Sequence, residues 1–426
     1  MFIARRMGLK SQVESKLTNL NFTFSLFRFL FGFLMVPQVL HLVPQIHDLA
    51  NSTIVFHYPG LEFIEAYSHE LLDFLKFLSI LGAVFLALGI FPRLAAAVFL
   101  CAFGYLFLID KSYYNNHYYL WCLIAFLFAI VKTNQSINIS DVIYGRKNKF
   151  IEPRIPVVFC FLFSIVYFYG GIAKINADWL QGYPMRLMTT ERGMSNPDFW
   201  GYALSILGLL FDLLIPFLLW FKPKKWYVIL PYFTFHLTNY FIFNIGEFPL
   251  VMMAAWPLFY TMDSLDKKAM LKDLFRITGF SSLMLALFFV IQLLLPLRSL
   301  FIPGDVAWHR QGYDFSWRMM LNNYEVSYFQ FNVVMQERND SYYVDFSKLV
   351  TYRQFYHAYH DPYMIHAMAQ KLKSDAQTKY RTKDVKVYCK SNVKLNQHAF
   401  KQLIHSDIDL GSQPYYHFSK NNFVTN

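Results

Sequence analysis

Charge is what this sequence has least of. Asp, Glu, Lys and Arg together make up 16% of the 426 residues, where a soluble globular chain carries about a quarter. The deficit is filled by hydrophobic residues at 55%, with aromatics alone at 19%, and the mean hydropathy is +0.28. That balance points to a membrane protein. Cysteine is scarce too. Three of the four, Cys101, Cys122 and Cys160, lie within apolar stretches, so neither a disulfide framework nor a cysteine metal site is expected. The thirteen histidines have no spacing typical of metal ligands, and no metal is expected. Repeats and low-complexity segments are absent. The first apolar run carries Arg28 and lacks a small-residue cleavage site, so it is taken as a retained helix and not a signal peptide.

What the chain does have is long apolar runs. A spanning helix needs about 20 such residues, and by that measure about nine candidates emerge. They cover 21–42, 71–90, 93–109, 117–132, 154–174, 201–221, 226–243, 247–261 and 278–297, the eighth being the shortest. The formal net charge of +11 falls mainly in loops, as expected of cytoplasmic lysine and arginine and not of a nucleic-acid footprint. The basic pieces are "ARRMGLKSQVESK", "FPR", "KTNQSINISDVIYGRKNKF", "FKPKKW" and "DKKAMLKDLFR". The opposite connections carry fewer: 43–70 has no Lys or Arg, and 175–200 has only Arg186 and Arg192. This asymmetry predicts a cytoplasmic amino terminus, an odd number of spans and an external carboxyl terminus.

After about residue 297 the pattern changes. "YEVSYFQFNVVMQERNDSYYVDFSKLV" alternates around a polar turn and predicts a β-hairpin. "DPYMIHAMAQKLKSDAQTKY" predicts an amphipathic helix, "DVKVYCKSNVKL" another strand, and "NQHAFKQLIHSDIDL" a short closing helix. The expected architecture is an all-α polytopic membrane bundle of about nine transmembrane helices with a small C-terminal α+β extracytoplasmic domain. The two domains are expected at 1–297 and 298–426.

Three polar features fall on one side of that topology: Asn115-Asn116-His117 at the start of the fourth run, Lys174 at the end of the fifth, and His236 in the outer half of the seventh. An ionisable residue at membrane depth is a functional candidate by default. Each also has a structural reading. Lys174 can snorkel to the surface, the asparagines can cap a helix, and His236 can bond a neighbouring helix. Asp178-Trp179 can be a boundary anchor. The chemical reading is that apolar surroundings disfavour the ammonium of Lys174, and a neutral amine there can act as a general base. An imidazole and carboxamides nearby can orient an aromatic diol and stabilise its oxyanion.

These residues sit in longer motifs. "LFRFLFGFLMV" (26–36), "LIDKSYYNNHYYL" (108–120), "YFYGGIAKINADWLQGYPM" (167–185), "LFDLLIPFLLWF" with "YFTFHLTNYFIFNIGEF", and "WHRQGYDFSWRMM" (308–320) occur in that order. In this the sequence resembles the vitamin K-dependent gamma-glutamyl carboxylase family, from about Leu26 to near Leu410. The resemblance implies oxidation of a reduced naphthoquinone (vitamin K hydroquinone) by O2. The strongly basic oxygen species so formed removes a glutamate γ proton, CO2 adds, and the quinone leaves as its 2,3-epoxide. It assigns Lys174 as the base that deprotonates the quinol, with His117 and His236 as further catalytic positions. Asn115, Asn116, Trp317, Met319 and Met320 are assigned to quinol binding, and Asp178, Trp179, Asn239 and Tyr313 to its support.

The motifs also depart from the family pattern. A paired lysine is replaced by Ala173, the Asp of a "SWDMM" motif is Arg318, and the chain is expected to end before the long luminal region with which animal members grip a propeptide. The implied cofactor is reduced vitamin K, with O2 and CO2 as co-substrates and no metal. The implied partners are membrane lipids and a Glu-containing peptide or protein, with no nucleic acid; monomer and homodimer stay open. Two other functions stay open as well: a quinol oxygenase or epoxidase without carboxylation, and a non-enzymatic module that binds quinone or lipid. The expected location is a bacterial inner membrane with the C-terminal domain in the periplasm, or the endoplasmic-reticulum membrane if the chain is eukaryotic. In inverted vesicles a C-terminal tag is expected to resist protease until detergent is added; cleavage without detergent would refute the orientation.

Overall fold

The computed structural model describes residues 2–64, 68–133, 137–139, 143, 150–263 and 279–425, with side chains described from Glu14 onward. Helices make up the first two thirds: α1 (Phe2–His47), α2 (His69–Leu88), α3 (Pro92–Leu108), α4 (Asn116–Ile130), α5 (Arg154–Ala173), the single turn α6 (Ala177–Leu180), α7 (Tyr183–Glu191), α8 (Pro197–Phe221), α9 (Trp226–Phe241), α10 (Phe248–Ala254), α11 (Trp256–Met262) and α12 (Phe280–Leu294). Among the described residues five helices are long and apolar enough to cross a membrane: Glu14–Asn51, His69–Leu88, Arg154–Ala173, Pro197–Phe221 and Phe280–Phe301. The chain is an integral membrane protein by these spans, but nine full-length ones are not found. The third, fourth and seventh runs form helices of 17, 15 and 16 residues. At 1.5 Å per residue these reach about 22–26 Å, short of a hydrocarbon core of about 30 Å. The eighth run is broken at Ala255 into α10 and α11, each with proline in its first turn. The basic stretch 266–276 and most of 132–150 lie outside the described residues.

The first helix is longer than its apolar stretch predicts. It runs from Phe2 because the polar residues before Asn21 are helix-compatible and nothing stops the helix there. It is the spine of the core. Phe24 and Phe27 meet Phe128 of α4 and Phe159 of α5, and Phe31 meets Phe128, with ring centroids 5.5–5.9 Å apart. A Cβ at Gly32 would stand 2.5 Å from the Ala83 carbonyl, so only glycine lets α2 lie this close. Arg28, the charge inside this span, is buried and donates to Asn138 Oδ1 (2.8 Å) and to the Ile137 carbonyl (2.7 Å).

The C-terminal unit is a four-stranded antiparallel sheet in the order β2-β1-β3-β4. β1 (Tyr324–Met335) and β2 (Asp340–Tyr343) are the expected hairpin, with Asn339 taking the left-handed position in the turn. β3 (Val385–Leu395) pairs along the whole of β1, and every second residue of it is buried. Three further helices follow the bundle: the single turn α13 (Val306–His309), α14 (Tyr352–Ala358) and α15 (Pro362–Tyr380). The last is the expected amphipathic helix, and it packs on β3. The expected closing helix over 396–410 is not there; the segment holds β4 (Lys401–Gln402) and turns. The segment pairs with its neighbours instead: Lys401 and Gln402 lie against Val393 and Asn392 of β3, and Ile404 bridges to Val424.

Charge joins this unit to the bundle. Lys111, in the loop before α4, lies 2.9 Å from Asp314 and also pairs with Asp361, all three being largely buried. Asp361 is at the same time the N-cap of α15: its Oδ1 accepts from the backbone N–H groups of Tyr363 (2.9 Å) and Met364 (3.3 Å). Burial alone would raise the Asp361 carboxyl, but Lys111 and Arg310 hold it below the ordinary carboxylate range. Next to Lys111, Asp110 Oδ2 accepts from the Phe56 N–H (2.9 Å) and from Gln354 Nε2 of α14 (2.9 Å).

Lys111→Met leaves two carboxylates in a buried joint with only Arg310, 3.6 Å from Asp314, as a cation. It is expected to cost about 3–5 kcal/mol, measured as a fall in thermal stability in detergent. Because the Asp361 carboxyl is held low, its share of the stability is present above about pH 4 and disappears only as pH falls through the lowered folded value.

Candidate functional site

The α5 helix ends where its sequence turns from apolar to "KINADW". Lys174 is its C-cap residue, and Asn176 caps the next turn, accepting from the Trp179 N–H at 2.9 Å. This brings the α5 chain end and α6 against α8. Trp179 Nε1 donates to the Ser205 carbonyl of α8 (2.8 Å), and the indole lies 5.1 Å from Lys174 Nζ. Two glycines let the helices approach. A Cβ at Gly171 would meet Leu213 at 2.7 Å, and one at Gly170 would meet Asp212 Oδ2 at 3.3 Å. Across that seam Lys174 Nζ and Asp212 Oδ2 are 2.5 Å apart, and both side chains are only 7% exposed.

Asp212 is the residue that the sequence reading missed. The signal was there: a carboxylate in the middle of "LFDLLIPFLLWF" is an intramembrane ionisable group like Lys174. It also gives the lysine a partner that the sequence reading did not name. A lone amine gives way to a pair, in which the carboxylate compensates an ammonium that apolar surroundings alone would disfavour.

The pair forms part of the wall of a mostly apolar cavity. His117, Trp179, His236, Asn239, Met319 and Met320 also line it. His117 stacks on Phe248 of α10 at 4.6 Å and 20°. His236 is buried; its Nε2 is 2.7 Å from the Tyr167 hydroxyl, and its Nδ1 has no hydrogen-bond partner. Met319 and Met320 arrive from the segment that follows α12. There Arg310, Phe315, Trp317 and Met320 all have positive φ, between 57° and 60°, a conformation that costs about 1–3 kcal/mol per residue and clusters at functional sites. An apolar wall with a few convergent polar groups is the ordinary make-up of a small-molecule site.

Five sequence-predicted residues lie elsewhere. Asn115 is the N-cap of α4, accepting from the His117 N–H at 2.8 Å. Asn116 bonds Tyr114 (2.9 Å) and the Arg318 carbonyl (3.2 Å), so it ties α4 to the 310–320 segment and does not line the cavity. Trp317 is fully buried against Tyr119, 5.2 Å away, behind the lining. Asp178 accepts from Asn396 Nδ2 (2.6 Å) and lies 2.8 Å from His398 Nε2, which anchors the C-terminal unit. Tyr313 carries the Arg310 guanidinium on its face at 3.8 Å and belongs to the joint.

Residues 21–263 match the family model of the HTTM domain, and residues 278–426 match that of the vitamin K-dependent gamma-carboxylase lumenal domain. The chain belongs to the vitamin K-dependent gamma-carboxylase family. No solved structure matches it. The lumenal match corrects the expectation that the chain ends before that part of the family: the small sheet and its helices are the matched region. Membership makes a vitamin K-dependent carboxylase function, with reduced vitamin K and a Glu-containing substrate, the expectation for this chain.

Asp212→Leu strands a buried ammonium and is expected to cost about 3–5 kcal/mol, whereas Lys174→Met/Asp212→Leu removes both charges and is expected to recover most of that loss. Melting temperatures of the two variants in detergent check this. Equal destabilisation of both would show that the pair is not what holds the seam.

Proposed function

We propose that the chain oxidises a reduced naphthoquinol of the vitamin K type and couples the oxidation to γ-carboxylation of glutamate in a peptide or protein. The observation that carries this reading is the Lys174–Asp212 pair in the wall of an apolar cavity that also receives His117 and His236. Once bound, the quinol supplies, through its reaction with O2, the strong base that removes the glutamate γ proton before CO2 adds, and it leaves as the epoxide.

The chain's own part is positioning and proton handling. Lys174 Nζ takes the proton of the quinol hydroxyl, and Asp212 lets it do so. Before the step the pair holds one transferable proton between amine and carboxylate, and after it two. The positive charge gained lies beside the oxygen that gave up the proton, so the apolar cavity acquires no uncompensated charge. His117 and His236 flank the space in which a second ring oxygen would sit. Met319 and Met320 offer soft apolar cover to the ring faces. Trp179, fixed by Ser205, keeps Lys174 from reaching for water. The lumenal-domain match favours retained carboxylation over oxygenation alone. On this reading the amino terminus is cytoplasmic. The C-terminal unit then faces the periplasm of a bacterial inner membrane, or the lumen in a eukaryote.

The test is a paired assay in detergent with reduced vitamin K and a small Glu peptide, following epoxide and 14CO2 fixation together. Wild type is expected to form both products, and Lys174→Ala to lose about 10²–10⁴-fold of each. Epoxide without CO2 fixation would select an oxygenase, and binding without turnover a quinone-binding module. Absence of both products and of quinone binding in wild type would overturn the proposal.

A further inference from the structure

A second pocket opens where the bundle meets the C-terminal unit, and it shares no lining residue with the Lys174 cavity. Its bundle side includes Leu108 at the end of α3 and Leu295 just past the end of α12. Its other side includes Arg310, Asp361 and Phe418. The pocket therefore lies level with the ends of apolar helices.

Its charges do not balance. Lys111, Arg298 and Arg310 face only Asp314 and Asp361 there. Lys111 pairs with both carboxylates, and Arg310 lies 3.6 Å from Asp314. Arg298 is left over. Its guanidinium donates to the carbonyls of Leu295 (2.7 Å) and Asp314, and among the described residues it forms no ion pair. A half-buried cation held by carbonyls alone keeps its charge uncompensated.

Polar atoms without partners gather at the same place. The Tyr58 hydroxyl, Arg310 Nε and Gln311 Oε1 belong to lining residues and have no hydrogen-bond partner, although Tyr58 and Gln311 are each only 4% exposed. Such buried groups are nearly always paired with protein, water or a ligand. Gln311 cannot turn to change its role, because its Nε2 donates to the carbonyls of Tyr416 (2.5 Å) and Ser419 (2.8 Å). Its free oxygen can only accept, whereas Tyr58 and Arg310 can donate. A bare anion would satisfy the donors and leave the acceptor.

The rim is apolar. Phe418 lines the pocket and is 80% exposed, and Leu300 and Phe301, two and three residues after Arg298, are exposed as well. Exposed apolar side chains beside a basic pocket at the ends of spanning helices suit the headgroup level of a bilayer.

We propose that this pocket binds the headgroup of a membrane glycerophospholipid. The phosphate sits on Arg298, with Tyr58 and Arg310 as further donors, and a donor of the headgroup itself reaches Gln311 Oε1. Ethanolamine and glycerol headgroups carry such a donor; choline has neither N–H nor O–H. The bound lipid joins the end of the last span, through Arg298, to the C-terminal unit, through Gln311. The site is separate from the quinol cavity and does not rest on that reading.

Native mass spectrometry of the full chain, released from nanodiscs of mixed composition, reads the retained lipid directly. Wild type is expected to keep phosphatidylethanolamine or phosphatidylglycerol and to shed phosphatidylcholine. Arg298→Met is expected to cut the retained lipid by about tenfold or more, as the loss of a charge-assisted contact. Tyr58→Phe removes a hydroxyl that no protein group uses. It is expected to weaken retention while leaving the melting temperature of delipidated protein unchanged, so that lost lipid is not a sign of misfolding. Equal retention of phosphatidylcholine, or retention that neither substitution alters, would overturn the proposal. Displacement of the lipid by inorganic phosphate would overturn it in favour of a free-anion site, and displacement by a Glu peptide in favour of a substrate contact.

Discussion

The contact on which the rest of the site depends is the one between Lys174 Nζ and Asp212 Oδ2. Neither charge is tolerable alone where it lies, because the penalty for removing an ion from water is several kcal/mol even after relaxation. Together they are tolerable only if α5 and α8 approach closely, and that is what Gly170 and Gly171 permit. The same seam fixes Trp179, whose indole N–H reaches a carbonyl of α8 and whose ring lies near the ammonium. A few substitutions in this one interface would therefore change the cavity wall, its charge and its access to water together.

The second buried charge cluster makes the contrast. Lys111 has two carboxylate partners, and one of them, Asp361, is already committed to capping α15. That arrangement spends its charges on joining the lumenal region to the bundle. Lys174 has one carboxylate partner and open space beside it. Burial and ion pairing are common to both lysines; what separates a joint from a site is whether the carboxylate is also committed elsewhere in the protein.

This distinction also explains what could be read from the sequence. Lys174, His117, His236 and the two methionines were legible, since ionisable groups in apolar runs are rare and the motifs around them are specific. Asn115 and Asn116 were not, because the residue type that can polarise a quinol oxygen is also the favoured helix cap, and the spacing suits both. Asp212 was visible as a charge but not as a partner: facing requires knowing which helices touch, and the α5–α8 contact is set by glycines whose meaning appears only when packed. The count of nine spans is not confirmed, for a related reason. Apolar length marks a run as buried in lipid or protein without saying which, and α3, α4 and α9 are too short to cross as straight full-length spans.

The cavity is closed from two directions by different kinds of chain. Helices of the HTTM region supply its charges and rings, while Met319 and Met320 come from the strained segment that leads into the lumenal sheet. Asp178, one residue from Trp179, is held by Asn396 and His398 at the far end of β3. Docking of the sheet is thus coupled to the position of the turn that presents Trp179 to Lys174.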